Sequence, residues 1–232
     1  MGIGQEFHKA TALVGQVLGL RPGRMQPIEE QPARRISLPV CEALVGQLDH
    51  AIRNRRSIRD FDQRPIKIEQ LAHLLFAGLG QVDHGRTVPS AGGLYPLELY
   101  AIANRIDGID KGLYRYLPAA HALELLIQLD ISADLAIACL GQESIAQAAA
   151  VFAIVAQFER TCRKYGDRGY RYVYIEAGHI SQDIYLVATA LGLGSVAIGA
   201  FFDRQVNDLL GLDGERKAAI YLHAVGHPAS SP

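Results

Sequence analysis

Val173, Ala177, Ile180, Ile184, Val187 and Leu191 follow one another at steps of four and three residues, which puts them on one stripe of an α-helix. The spacing predicts a helix over residues 171–191, closed by Gly192 and Gly194, because glycine readily takes the conformation that ends helices. A helix so long and apolar must be covered, by a sheet or by a second subunit. Strand candidates lie around it at 97–103, 112–117, 122–127, 151–157 and 219–225. Leu44, Leu48 and Ile52 are spaced for one face of a helix that runs into Arg55, and Ile68, Leu71, Leu75 and Leu79 repeat the pattern in a helix ended near Gly78 and Gly80. Helices and strands do not strictly alternate, so the expected class is α+β rather than a doubly wound parallel sheet.

At 232 residues and 49% hydrophobic content the chain can bury one sizeable core. A formal net charge of −1 offers no basic excess for nucleic acid. The longest wholly apolar run, Ala148 to Ala156, is far short of a membrane span and reads as a buried strand. Lys9 followed by Ala10 to Leu20 imitates a signal peptide, but Gln16 interrupts it and no cleavage site follows, so an N-terminal helix is expected. Glu6 stands where a myristoylation signal needs Ser or Thr. Pro22, Gly23, Pro27, Pro32 and Pro39 mark residues 20–40 as an extended connector. The expected organisation is therefore a helix and connector over 1–40 and a single domain over 41–232. Cys41, Cys139 and Cys162 are odd in number and widely spaced, which suits reduced thiols and a cytoplasmic location.

Two segments carry the chemistry. Arg55-Arg56-Ser57-Ile58-Arg59 sets three cations around a hydroxyl, a composition suited to a phosphate. Pro89-Ser90-Ala91-Gly92-Gly93-Leu94-Tyr95-Pro96 is a turn in which glycines let a flat ring approach the backbone. Read alone, the first is a solvated helix end and the second an ordinary turn. Together, the one closing a helix and the other leading into the run 97–103, they suggest a phosphorylated planar cofactor, and FMN fits. The Gly192–Gly199 segment lacks the G-x-G-x-x-G spacing and follows a helix, so a dinucleotide loop is rejected in favour of a strand. Glu176 and His179 stand three apart on the long helix and read as a buried polar contact that fixes it. With no third ligand suggested there, and with His223 and His227 on a strand and its exit, no metal is expected. Cys162 has no resolving partner and reads as inert.

At the level of motifs, Arg55-Arg56-Ser57-x-Arg59-x-Phe61, Pro89 to Gly93, and Leu191-Gly192-Leu193-Gly194 leading to Ile198-Gly199 resemble the flavin-binding signature of the nitroreductase superfamily. Within it, the chain is most similar to the SagB/ThcOx group of azoline dehydrogenases, which mature thiazole- and oxazole-containing peptides. That likeness rests on Phe7-His8-x-x-Thr11, Pro89 to Pro96, Glu176 to His179, Val225-Gly226 and, most specifically, the run from Glu159 to Tyr172 that contains Lys164-Tyr165-Gly166.

The resemblance implies a mixed, mostly antiparallel sheet flanked by helices, with the long helix at a homodimer interface and two FMN sites lined by both chains. Arg55, Arg56, Ser57 and Arg59 would hold the phosphate and ribityl chain, Ser90, Ala91 and Gly93 would border the ring, and Ala197, Ile198 and Gly199 would approach its reactive nitrogen. Lys164 and Tyr165 would supply the base for azoline oxidation, with Arg163, Arg168 and Arg171 as neighbouring cations. Two departures matter: no Lys-x-Arg segment follows Gly226-His227-Pro228, and Ile198 stands where simple nitroreductases often carry an acid. The expected function is FMN-dependent oxidation of azolines in a modified peptide. The alternatives are an NAD(P)H-dependent reductase of nitro compounds, quinones or dehydroamino acids, and a flavin-binding partner subunit working with a cyclodehydratase.

Overall fold

The computed structural model describes residues 2–11 and 46–229. The connector expected over 20–40, Cys41 and Leu44 lie outside them. The helices are α1 (Ile3–Thr11), α2 (Gln47–Asn54), α3 (Ile68–Leu79), α4 (Ser132–Ala138), α5 (Glu143–Gln147), α6 (Phe158–Tyr165), α7 (Arg168–Ala190) and α8 (Asp203–Leu209). Six strands build the main sheet: β1 (Leu97–Ala103), β2 (Gly112–Leu117), β3 (Ala122–Ile127), β4 (Ala150–Ala156), β5 (Gly194–Ile198) and β6 (Ala218–Gly226). Their spatial order is β3-β2-β1-β4-β6-β5, and every pairing is antiparallel. A two-residue parallel pairing of Ile66–Lys67 with Ile106–Asp107 lies outside that sheet.

β4 shows why the sheet needs helices on both faces. All seven of its residues are buried, and their side chains alternate between two cores as strand geometry requires. Phe152, Ile154 and Ala156 join Leu71, Leu74 and Leu75 of α3 and Val173, Ala177, Ile180 and Ile184 of α7. Val151, Ala153 and Val155 join Leu135 of α4, Ile145 of α5 and Val206 of α8 on the other face. The result is the expected α+β architecture, with α7 laid across the sheet beside α3.

α7 begins three residues earlier than its apolar stripe indicates, because Arg168, Gly169 and Tyr170 continue the helix into the corner with α6. That corner is tight. A Cβ on Gly169 would come within 2.8 Å of Cys162 Sγ and 2.9 Å of its Cα, so α6 and α7 meet there only because residue 169 is glycine. Gly78 lies inside α3 rather than at its end, and Gly80 is the residue that closes the helix. Among the described residues, no helix is long and apolar enough to cross a membrane.

Candidate active site

The arginine segment leaves α2 and runs along the outer edge of the sheet. Ser57 forms a parallel bridge with Ser195 of β5, and Ile58 N–H donates to Ser195 O at 2.9 Å. The close approach depends on Gly194, where a Cβ would come within 2.8 Å of Ile58 Cγ2. Arg55 and Arg56 line a cavity of about 500 Å³ together with His50, Asn54, Thr189 and Gly192. Among the described residues, Arg55, Arg56 and Arg59 have no carboxylate partner.

Tyr185 of α7 ties this segment to the sheet. Its hydroxyl is 2.9 Å from Ser57 Oγ and accepts the Ala197 N–H at 2.8 Å, and the Arg55 guanidinium stands 5.0 Å from the centre of its ring. The peptide N–H of Ala197 is therefore engaged by Tyr185 and not turned towards a ligand. Ile198 points its side chain into the core on the face away from α7, leaving only its backbone near the site, and Gly199 is exposed just past the end of β5. Beneath Tyr185 lies His223 of β6, fully buried, with its Nδ1 3.0 Å from Ser181 Oγ and its Nε2 without a hydrogen-bond partner among the described residues. Burial lowers the His223 pKa to about 3.

The glycine-rich turn is elsewhere. Gly92 and Gly93 have φ of 65° and 66°, a left-handed backbone natural for glycine, and both are exposed. Ser90 Oγ accepts the Tyr95 N–H at 2.9 Å and is 2.5 Å from Glu176 Oε2. Glu176 is buried on α7 with its other oxygen unpartnered among the described residues; burial pushes its pKa up to about 7 against the Ser90 hydrogen bond and the Arg160 charge. The expected contact of Glu176 with His179 does not form. Glu176 sits on the inner flank of α7, whereas His179 faces outward and is exposed.

Lys164 and Tyr165, at the end of α6, come to this turn. A Cβ on Gly92 would lie 2.6 Å from Tyr165 Oη and 2.9 Å from Lys164 Nζ, so the two reactive tips rest against a residue that has no side chain. Lys164 Nζ stands 5.3 Å from the centre of the Tyr165 ring. Of the neighbouring cations, Arg163 is engaged by Glu159 at 2.8 Å. Cys162, one helical turn from the α6–α7 corner, has its thiol pushed up by burial and by Asp167, which makes it a poor nucleophile. Among the described residues, no three His, Cys, Asp or Glu side chains gather in a way that could hold a metal.

The structure thus brings Ser90, Ala91 and Gly93 together with Lys164 and Tyr165, and Arg55, Arg56 and Ser57 together with Ala197, but it keeps the two groups apart. Their anchors on α7, Glu176 and Tyr185, are nine residues from each other. At 100° and 1.5 Å per residue they face opposite flanks of the helix, separated by about 14 Å along its axis. Tyr185 and the Ser90 contact of Glu176 went unread in the sequence, where nothing distinguishes them from other residues bordering an apolar stripe.

The residues present fit FMN: the guanidinium groups of Arg55 and Arg56, without a carboxylate partner among the described residues, and the Ser57 hydroxyl suit a phosphate, and the glycine turn suits the approach of a ring. Residues 52–227 match the nitroreductase family. A protein of Methanocaldococcus jannaschii named as a nitroreductase is 42% identical over 177 residues, covering 75% of this chain and 88% of that protein. The microcin B17-processing protein McbC of Escherichia coli is 29% identical over 174 residues, 71% of this chain, and the match spans 64% of McbC. Among solved structures, the Escherichia coli microcin synthetase McbBCD complex with truncated pro-MccB17 bound contains a chain of the same fold. It superposes with a TM-score of 0.70 at 22% identity, covering 97% of this chain and 87% of that one.

Proposed function

The chain belongs to the nitroreductase family of oxidoreductases, and from that premise we propose that it binds FMN and oxidises azoline rings in a modified peptide to azoles. The observation that carries this reading is the convergence of Lys164 Nζ and Tyr165 Oη on Gly92. It sets two proton-accepting groups beside the turn that would border the ring. The similarity to a peptide-processing protein supports the same substrate class.

Azoline oxidation removes a proton from one ring carbon and a hydride from its neighbour. FMN, when bound, supplies the hydride acceptor. The proton is taken by Tyr165 as its phenolate or by Lys164 as its free amine, each tip being placed beside Gly92 where the heterocycle would rest. Ser90, held by Glu176 and the Tyr95 N–H, fixes the turn from behind. Arg55, Arg56, Ser57 and Arg59 hold the phosphate, and Tyr185 braces Ser57 against β5.

Since the phosphate cluster and the turn face opposite flanks of α7, one ring reaches both only if they come from different chains. We therefore propose a homodimer with α7 near the two-fold axis, in which each turn completes its partner's flavin site. A cyclodehydratase that delivers the azoline peptide is the proposed further partner.

Purified protein is expected to be a yellow dimer that releases FMN on denaturation and, mixed anaerobically with an azoline peptide, bleaches as azole forms. Colourless monomers that ignore added FMN would refute the reading. The 42% identity to a protein named as a nitroreductase favours a second one, a reductase driven by NAD(P)H. Rapid anaerobic bleaching by NADPH, with no response to the azoline, would select it. Tyr185→Phe is expected to weaken FMN binding about tenfold through loss of the Ser57 contact, measured by equilibrium dialysis.

A further inference from the structure

A second cavity, of about 200 Å³, is lined by Glu98 of β1, Arg115 and Tyr116 of β2, Arg86 and Tyr95 of the segment between α3 and β1, and Arg160 of α6. Its charges do not balance. Lys217 Nζ holds both oxygens of Glu98 at 3.1 Å, and Arg115 Nε donates to Glu124 at 2.8 Å. Arg86 and Arg160 have no ion pair among the described residues.

Arg86 is the telling group. Its guanidinium is half-buried 5.9 Å from the centre of the Tyr95 ring, and its Nη1 is buried with no hydrogen-bond partner among the described residues. Burial and the charge of Arg160 act against its protonated form, while Tyr116 and Tyr95 favour it; no carboxylate is among these groups. The carboxyl that feels Arg160 is Glu176, whose own burial favours its neutral form. A partly desolvated cation beside a second cation is unfavourable unless an anion completes the set. The space is several times the roughly 30 Å³ share of one water, enough for a single oxyanion with its hydration and too little for a nucleotide. Arg160 lies one turn before Lys164 on the same face of α6, so an anion here sits beside the candidate reaction site.

We propose that Arg86 and Arg160 form an oxyanion subsite that captures a carboxylate or phosphate group of a molecule bound at the neighbouring reaction site. The proposal rests on the reaction site assigned above, while phosphate binding at the subsite is read independently of turnover. The test is calorimetric titration of the full chain, in the presence of FMN, with inorganic phosphate against chloride at equal ionic strength. Saturable binding is expected, weakened about tenfold or more in Arg86→Gln and in Arg160→Gln by loss of a charge-assisted hydrogen bond. Arg160 is exposed, so that variant reports on binding even if the Arg86 change disturbs folding.

Arg56→Gln serves as the control for phosphate held at the other cluster. Phosphate binding lost in Arg56→Gln but kept in the other two variants would overturn the proposal, as would absence of saturable binding to the parent. Two contrasts then identify the source. Preference for NADPH over NADH, lost in Arg86→Gln and Arg160→Gln, assigns the oxyanion to a nucleotide; preference for an Asp- over an Asn-containing azoline peptide, lost in the same variants, assigns it to the peptide. A protein with neither preference would refute capture of a group from a bound reactant.

Discussion

Lys164→Ala and Tyr165→Phe are each expected to keep FMN and to oxidise a peptide azoline about 10²–10⁴-fold more slowly, the range typical for loss of a positioned general base. Both side chains end against Gly92 and neither touches the arginine cluster, so FMN affinity should stay close to the parental value. The measurement is single-turnover bleaching of the bound flavin under anaerobic conditions, with azole formation followed by mass spectrometry. Parental rates in both variants would remove the pair from the reaction. Gly92→Ala offers a further check, because the added methyl would displace both tips and strain a backbone with φ of 65°.

The second large effect concerns pH and stability, and two groups oppose each other. His223 has a folded-state pKa of about 3, below its ordinary 6.5, so its contribution to stability is present above pH 6.5 and is lost as pH falls towards 3. Glu176 has a folded-state pKa of about 7, above its ordinary 4.5, so the folded chain binds the extra proton and stability falls as pH rises from 4.5 to 7. Each is worth on the order of 3 kcal/mol between pH 7 and pH 4.5, and in the parent the two largely cancel. Urea unfolding at the two pH values should therefore show a steep loss on acidification in Glu176→Gln and a gain in His223→Asn. Equal pH dependence in parent and both variants would contradict the buried states described for these side chains.

Much of the scaffold was legible from residue pattern. β1, β2 and β3 occupy the runs their sequences mark out, and the stripe from Val173 to Ile184 is the face that α7 buries. α4, α5 and α8 were not anticipated. With seven, five and seven residues they are two turns or fewer, too short to show a helical period. The site divides in the same way. The cations around Ser57 and the bare backbone at Gly92 announce themselves by residue type. Their positions on opposite flanks of α7 depend on helical phase and long-range packing, which local composition does not encode. Glu176 and His179 show how a spacing misleads: three residues apart they are neighbours on the helix surface, yet the border of the buried stripe passes between them.

The bridge between Ser57 and Ser195 has a colloidal consequence. β5 is the last strand of the sheet, and such a margin is a template for another chain to add to. The arginine segment lies along that margin, so the residues proposed to grip a phosphate also shield it. If anion binding firms this segment, loss of the coenzyme should loosen the shield and encourage self-association. Solubility of the protein and occupancy by its ligand would then rise and fall together.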